Sequence, residues 1–154
     1  MRSITLAFAV ALVAAGCGGS EAEPVEPAAL EGVWKYELPY DYLVESGIGT
    51  AQAEAESGTH TATLAGGDFK DSWRNAEGRG SSCSGVYTVD GATVTFKWTY
   101  ACWGDWEMKP EVSGNQLMWT DIQALPPYDA EEDQRVNEAF NSVPWTRVGD
   151  APTS

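Results

Sequence analysis

Polar and apolar residues alternate through most of this chain. Residues 32–38 read Gly-Val-Trp-Lys-Tyr-Glu-Leu. Successive side chains of a strand point to opposite faces, so Trp34, Tyr36 and Leu38 share one face. The same period of two recurs over 59–64, 69–73, 86–89, 92–98, 106–112, 116–122 and 143–148. Eight short strands are therefore predicted, with turns at Gly66-Gly67-Asp68, Asp90-Gly91 and Ser113-Gly114-Asn115 and a Gly/Ser loop before residue 86. Pro110 inside its run marks an edge or a bulge. Helical spacing appears in three places. Residues 40–46 stop at Gly47, and residues 51–57 are capped by Thr50 and stop at Gly58. A third helix starts at Asp129-Ala130-Glu131-Glu132, whose charges suit the positive end of the helix dipole, and carries Val136 and Phe140 as a narrow apolar stripe. The fold class this predicts is all-β with short helices: an up-and-down antiparallel β-barrel of about eight strands.

The N-terminus follows a different pattern. After Arg2, residues 4–15 are apolar except for Thr5, a run too short to span a bilayer as a helix and suited to a signal-peptide core. It ends in Leu12-Val13-Ala14-Ala15-Gly16-Cys17, which resembles the lipobox of bacterial lipoproteins, with Ala14 where Leu is commonest. The resemblance implies cleavage before Cys17, lipidation of Cys17, and export to the outer face of a bacterial membrane, on the periplasmic or cell-surface side. The division expected is a signal peptide over 1–16, a lipidated Glu/Pro-rich tether over 17–29, one domain over 30–149 and a tail over 150–154. Without Arg2 the mature chain carries 23 acidic against 8 basic residues, a formal charge near −15. Such a surface repels phosphate backbones, which argues against nucleic-acid partners, and it offers no polybasic patch, so membrane contact falls to the acyl chains.

Export also bears on the two remaining cysteines, because disulfides persist outside the cytoplasm. Cys83 and Cys102 bracket the hairpin centred on Asp90-Gly91. In the register this turn implies, Tyr87 faces Val94 and Val89 faces Ala92. Tyr87, Val94, Phe96 and Trp98 then line the apolar face that both cysteines share. An ideal ladder sets Cys83 opposite Trp98 and leaves Cys102 roughly 13 Å further along. A Cys83–Cys102 disulfide, which needs Cα atoms within about 7 Å, therefore requires a bulge or fold-back near Ser84-Gly85 or Ala101.

Gly32-Val33-Trp34 opening the first strand and Trp145-Thr146-Arg147 closing the last resemble the lipocalins and the wider calycin group. The pattern is also similar to lipocalin-like domains of bacterial lipoproteins, with a Cys-Ser-Gly-x-Tyr-x-Val-Asp-Gly hairpin. The likeness implies that Trp34 packs at the closed end of the barrel beneath Arg147. It also implies a candidate ligand, small and apolar or aromatic, held inside the barrel. An eight-stranded barrel has room for side chains alone or for one small ligand, so a filled core and a cavity both stand. In the first case the protein is a non-catalytic interaction or structural module of the envelope. Trp98, Trp103 and Trp106, with Tyr87 and Phe96, are the candidate ligand-binding residues.

No catalytic set emerges, and no enzyme activity, cofactor or metal is expected. His60, the single histidine, reads as an ordinary strand or surface residue. Gly80-Ser81-Ser82-Cys83-Ser84 falls short of a nucleophile elbow. Clustered Cys and His ligands for zinc and an Asp-x-Asp-x-Asp-Gly calcium loop are both missing from the sequence. Asp71 shares parity with Phe69 and Trp73 and could place a carboxylate inside the barrel. The sequence names no protein partner.

Overall fold

The computed structural model describes residues 24–100, 104–127 and 130–152. The order is α1 (Pro27–Leu30), β1 (Gly32–Leu38), α2 (Tyr40–Glu45), α3 (Thr50–Glu56), β2 (Gly58–Ala65), β3 (Asp68–Arg74), β4 (Gly80–Asp90), β5 (Thr93–Tyr100), β6 (Asp105–Ser113), β7 (Gln116–Leu125), α4 (Glu131–Asn141) and β8 (Trp145–Gly149). The eight strands form one closed antiparallel barrel in chain order, with β8 returning to pair with β1. Closure leaves no sheet edge unpaired. The tight turns β2–β3, β4–β5 and β6–β7 gather at one end. Helices α2 and α3 and helix α4 occupy connections at the other. Cys17 and the leader lie outside the described residues.

The alternating pattern becomes the core directly. Trp34, Tyr36 and Leu38 are buried from β1, Ala62 and Leu64 from β2, Tyr87 from β4, Val94 and Phe96 from β5, and Trp106 and Met108 from β6. The hairpin register differs from the one expected. Tyr87 pairs with Phe96 and Val89 with Val94, because the two-residue turn is Gly91-Ala92 rather than Asp90-Gly91. Gly91 takes φ +60°, which suits the first central position of a type II′ turn. A shift of two residues keeps every side chain on its expected face.

At the far end of this hairpin from the turn, β4 and β5 bulge between Ser84 and Gly85, so that Gly85 meets Trp98 but Ser84 meets Tyr100. A Cβ on Gly85 would lie 2.3 Å from Lys97 O, so only glycine fits there. The expected Gly/Ser loop is partly strand: Gly80 to Cys83 pair with Arg74 to Asp71 of β3. A second bulge separates Glu107 from Lys109 on β6, near Pro110, with Asp121 on the partner strand at φ +49°. Thr50 is the first helical residue rather than the cap, since Gly49 holds the N-cap. Ala130 precedes α4 without a side-chain cap, and Asp129 lies outside the described residues.

Candidate functional site

The two ends of the barrel are built differently. At the turn end, Trp34 is wholly buried and its Nε1–H donates to Leu30 O at 2.9 Å. The Arg147 guanidinium lies 4.6 Å from the centre of the Trp34 ring and donates to Ala29 O at 2.6 Å. A Cβ at Gly32 would come 3.2 Å from Gly149 O and 3.4 Å from the Arg147 guanidinium carbon. Helix α1 lies across this end, and the chain entering it is tied to the β4–β5 turn by Val25 N–H donating to Gly91 O at 2.9 Å.

The helical end holds a cavity of about 140 Å3. Its walls come from Tyr36, His60, Phe69, Asp71, Trp73, Cys83, Trp98, Trp106 and Trp145, and its roof from Val136, Asn137, Phe140 and Asn141 of α4. Glu56 closes one side, and the exposed Ser81 stands at the lip. Helix α4 is held over the mouth by Gln134, whose side chain accepts from Ala124 N–H and donates to Ile122 O, both at 2.7 Å. Tyr42 OH adds a bond to Ala139 O at 2.9 Å. Helix α3 is fastened to β3 by Trp73 Nε1–H donating to Ala55 O at 3.2 Å.

A buried polar network runs along one wall. Tyr36 OH donates to Asp71 Oδ2 at 2.7 Å, and His60 Nδ1 lies 3.1 Å from the same oxygen. His60 Nε2 lies 2.8 Å from Glu56 O. Both imidazole nitrogens face oxygen atoms, an arrangement that suits a doubly protonated ring. The ring is stacked between Tyr36, 4.7 Å away, and Trp73, 5.4 Å away. Burial by itself would lower the His60 pKa, but the hydrogen bond and charge of Asp71, aided by Glu56, raise it above its ordinary value. Burial lifts Glu56 to about 6. Burial, then the Asp71 charge, raises Tyr36 well above its usual value.

Several groups in this region have no hydrogen-bond partner among the described residues. They are Asp71 Oδ1 and the indole N–H groups of Trp98, Trp106 and Trp145, with Trp119 one layer below. Buried polar groups are nearly always paired in folded proteins.

No protein-family model and no curated protein matches this chain.

Of the candidate binding residues, Trp98 and Trp106 line the cavity together, with ring centres 4.9 Å apart. Tyr87 and Phe96 sit deeper. Phe96 packs on Phe69 at 5.0 Å and on Trp119 at 5.4 Å, within a filled layer. Trp103 lies outside the described residues. Cys83 is buried in the cavity wall, opposite Asp71 in the β3–β4 ladder, while Cys102 lies outside the described residues. His60 lies in strand β2, as expected, but is only 2 % exposed, which corrects the surface alternative of its reading. The reason is tertiary: α3 folds back over β2 and supplies Glu56 O, while β3 supplies Asp71. Asn137 and Asn141 were not legible as site residues, because their helix was read only through its apolar stripe. Among the described residues, no group of three His, Cys, Asp or Glu side chains is placed to hold a metal ion.

Proposed function

We propose that this protein is a lipid-anchored, extracytoplasmic, lipocalin-like barrel that binds one small apolar or aromatic ligand without catalysing a reaction. The observation that carries this reading is the aromatic cavity under α4, whose walls contain polar groups with no partner among the described residues. The lower layer is packed with Phe69, Phe96, Trp119 and Tyr87, so binding falls to the helical end. The non-catalytic reading is supported by His60, whose two nitrogens are both engaged.

The anchor gives this site a direction. The described chain enters at the closed end, and the seven residues from 17 to 23 reach at most about 24 Å. A lipid on Cys17 would hold the closed end toward the membrane and turn the mouth away from it. Cys17→Ser should move the protein from the membrane fraction to the soluble fraction. Unchanged retention, with no acyl mass on the wild type, would refute the anchor.

The bulge at Ser84/Gly85 supports the proposed Cys83–Cys102 bridge. It brings Tyr100 opposite Ser84, the neighbour of Cys83, and so takes one residue off the offset. The register shift at Gly91-Ala92 takes off two more of the four residues by which the expected ladder separates the cysteines.

The ligand reading is tested by tryptophan fluorescence and thermal shift against a panel of small aromatics, lipids and sterols. A ligand of the native state raises the melting temperature by mass action, and Trp98→Ala should abolish the fluorescence response. If the whole panel leaves both signals unchanged, the barrel is a filled interaction module instead.

A further inference from the structure

The cavity wall holds a carboxylate that the fold satisfies on one side only. Asp71 is 6 % exposed; its Oδ2 accepts from Tyr36 and His60, while its Oδ1 has no partner among the described residues. A buried acceptor left without a partner is destabilising, the more so when it carries charge. The indoles of Trp73, Trp98 and Trp106 line the same cavity, and aromatic faces attract cations; Tyr36 offers no face, being stacked between His60 and Trp145. We propose, resting on the ligand-binding reading above, that the ligand is a small organic cation. It is a flat, ring-sized body bearing an amine or amidine whose N–H donates to Asp71 Oδ1 while the body packs against the indoles.

Charge balance points the same way. Asp71 and Glu56 are the two acidic side chains of the lining, and His60 is its one cation. Two carboxyl side chains against one imidazole leave the lining with an acidic excess of one group, which a monovalent cation balances. His60 has no nitrogen left for an anion, since both face Asp71 and Glu56 O. Among the described residues, the unpartnered donors of the lining are the neutral indole N–H groups of Trp98, Trp106 and Trp145. The acidic chain, with 23 Asp and Glu against 9 Lys and Arg, adds long-range attraction for cations. Size sets the other limit. A cavity of about 140 Å3 matches the roughly 150 Å3 that accepts a benzene-sized molecule. A fatty-acyl chain or a sterol does not fit within it.

The test uses full-length protein purified in detergent, titrated by calorimetry and tryptophan fluorescence with benzylamine, benzamidine, benzyl alcohol and benzoate. The two cations should bind at least tenfold more tightly than benzyl alcohol, and benzoate should not bind. Asp71→Asn keeps the shape and should remove at least tenfold of the benzylamine affinity while leaving benzyl alcohol unchanged. If that variant fails to fold, Glu56→Gln, at the half-buried rim, should weaken benzylamine a few-fold and leave the alcohol alone. Equal binding of amine and alcohol, or benzylamine binding unaffected by both variants, overturns the cation assignment while the ligand site stands. Silence from all four probes and from the wider panel of apolar compounds overturns the ligand site itself.

Discussion

Trp34 and Trp98 lie at opposite ends of one barrel and are treated in opposite ways by the chain around them. Trp34 is fully buried, its N–H is bonded to Leu30 O, and its ring is covered by Arg147. Trp98 is half-buried, its N–H has no partner among the described residues, and it borders a cavity. Local chain supplies the difference. Helix α1 is short enough to lay its carbonyls directly against the closed end, where Leu30 O and Ala29 O serve as acceptors. At the other end α4 crosses the mouth and brings Asn137 and Asn141 alongside Val136 and Phe140. Asn141 Nδ2–H is itself engaged with Asn137 O at 2.9 Å. One end therefore completes its own hydrogen bonds, and the other leaves them for something else. The closed end is not perfect in this respect, since Arg147 Nε also has no partner among the described residues.

The sharpest way to break this comparison is to truncate both tryptophans. Trp34→Ala should lower stability by about 3–5 kcal/mol in urea titration. Trp98→Ala should lose clearly less, because its ring is half-buried and already borders free space. Equal losses would mean that the open end is as tightly packed as the closed one.

A somewhat smaller effect is expected from the bridge proposed at the open end. Reduction should destabilise the protein by about 3 kcal/mol in the chain-entropy model, and non-reducing mass mapping should show one 83–102 linkage. Two alkylatable thiols in protein exported under oxidising conditions would remove the bridge from the account.

The smallest effect is that of pH, and it belongs to the open end alone. His60 has a folded pKa raised above its ordinary value. Its stabilisation is complete below the unfolded value of about 6.5 and is lost as pH rises through the folded pKa. Glu56, raised from 4.5 to about 6, acts in the same direction: the fold loses stability as pH climbs between those values and the buried carboxyl ionises. The gap in urea midpoint between wild type and His60→Gln should therefore shrink from pH 5.5 to pH 9. A gap that stays constant or widens would mean that His60 is neutral in the fold. Trp34→Ala, at the other end, should leave this pH dependence in place.

Much of this architecture was legible along the chain. The strand pattern carried the barrel because a period of two fixes which side chains share a face, and a register slip of two residues at Gly91-Ala92 leaves that parity intact. Trp98 and Trp106 were legible as cavity residues because they fall on the apolar face near the strand ends. Tyr87 and Phe96 share the same face, yet pattern says nothing of depth, and the structure places them in the filled layer. The network was only half visible. Parity put Asp71 inside, but nothing in Thr59-His60-Thr61 signals a buried ion pair, since its partners come from β3 and from the end of α3.

The sequence by itself determined the number of strands, the inward faces and the tryptophan-opened first strand, because alternation and turn chemistry act over a few neighbouring residues. Tertiary structure alone decided that His60 meets Asp71 and Glu56 O, that Gln134 fastens α4 over the mouth, and that a cavity survives above the layer of Phe96 and Trp119. The His60–Asp71 and Gln134–Ile122 contacts join residues 11 and 12 positions apart, and the His60–Glu56 O contact, only four apart, depends on where α3 ends against β2. They depend on how helices lie across a closed barrel, which no local periodicity encodes.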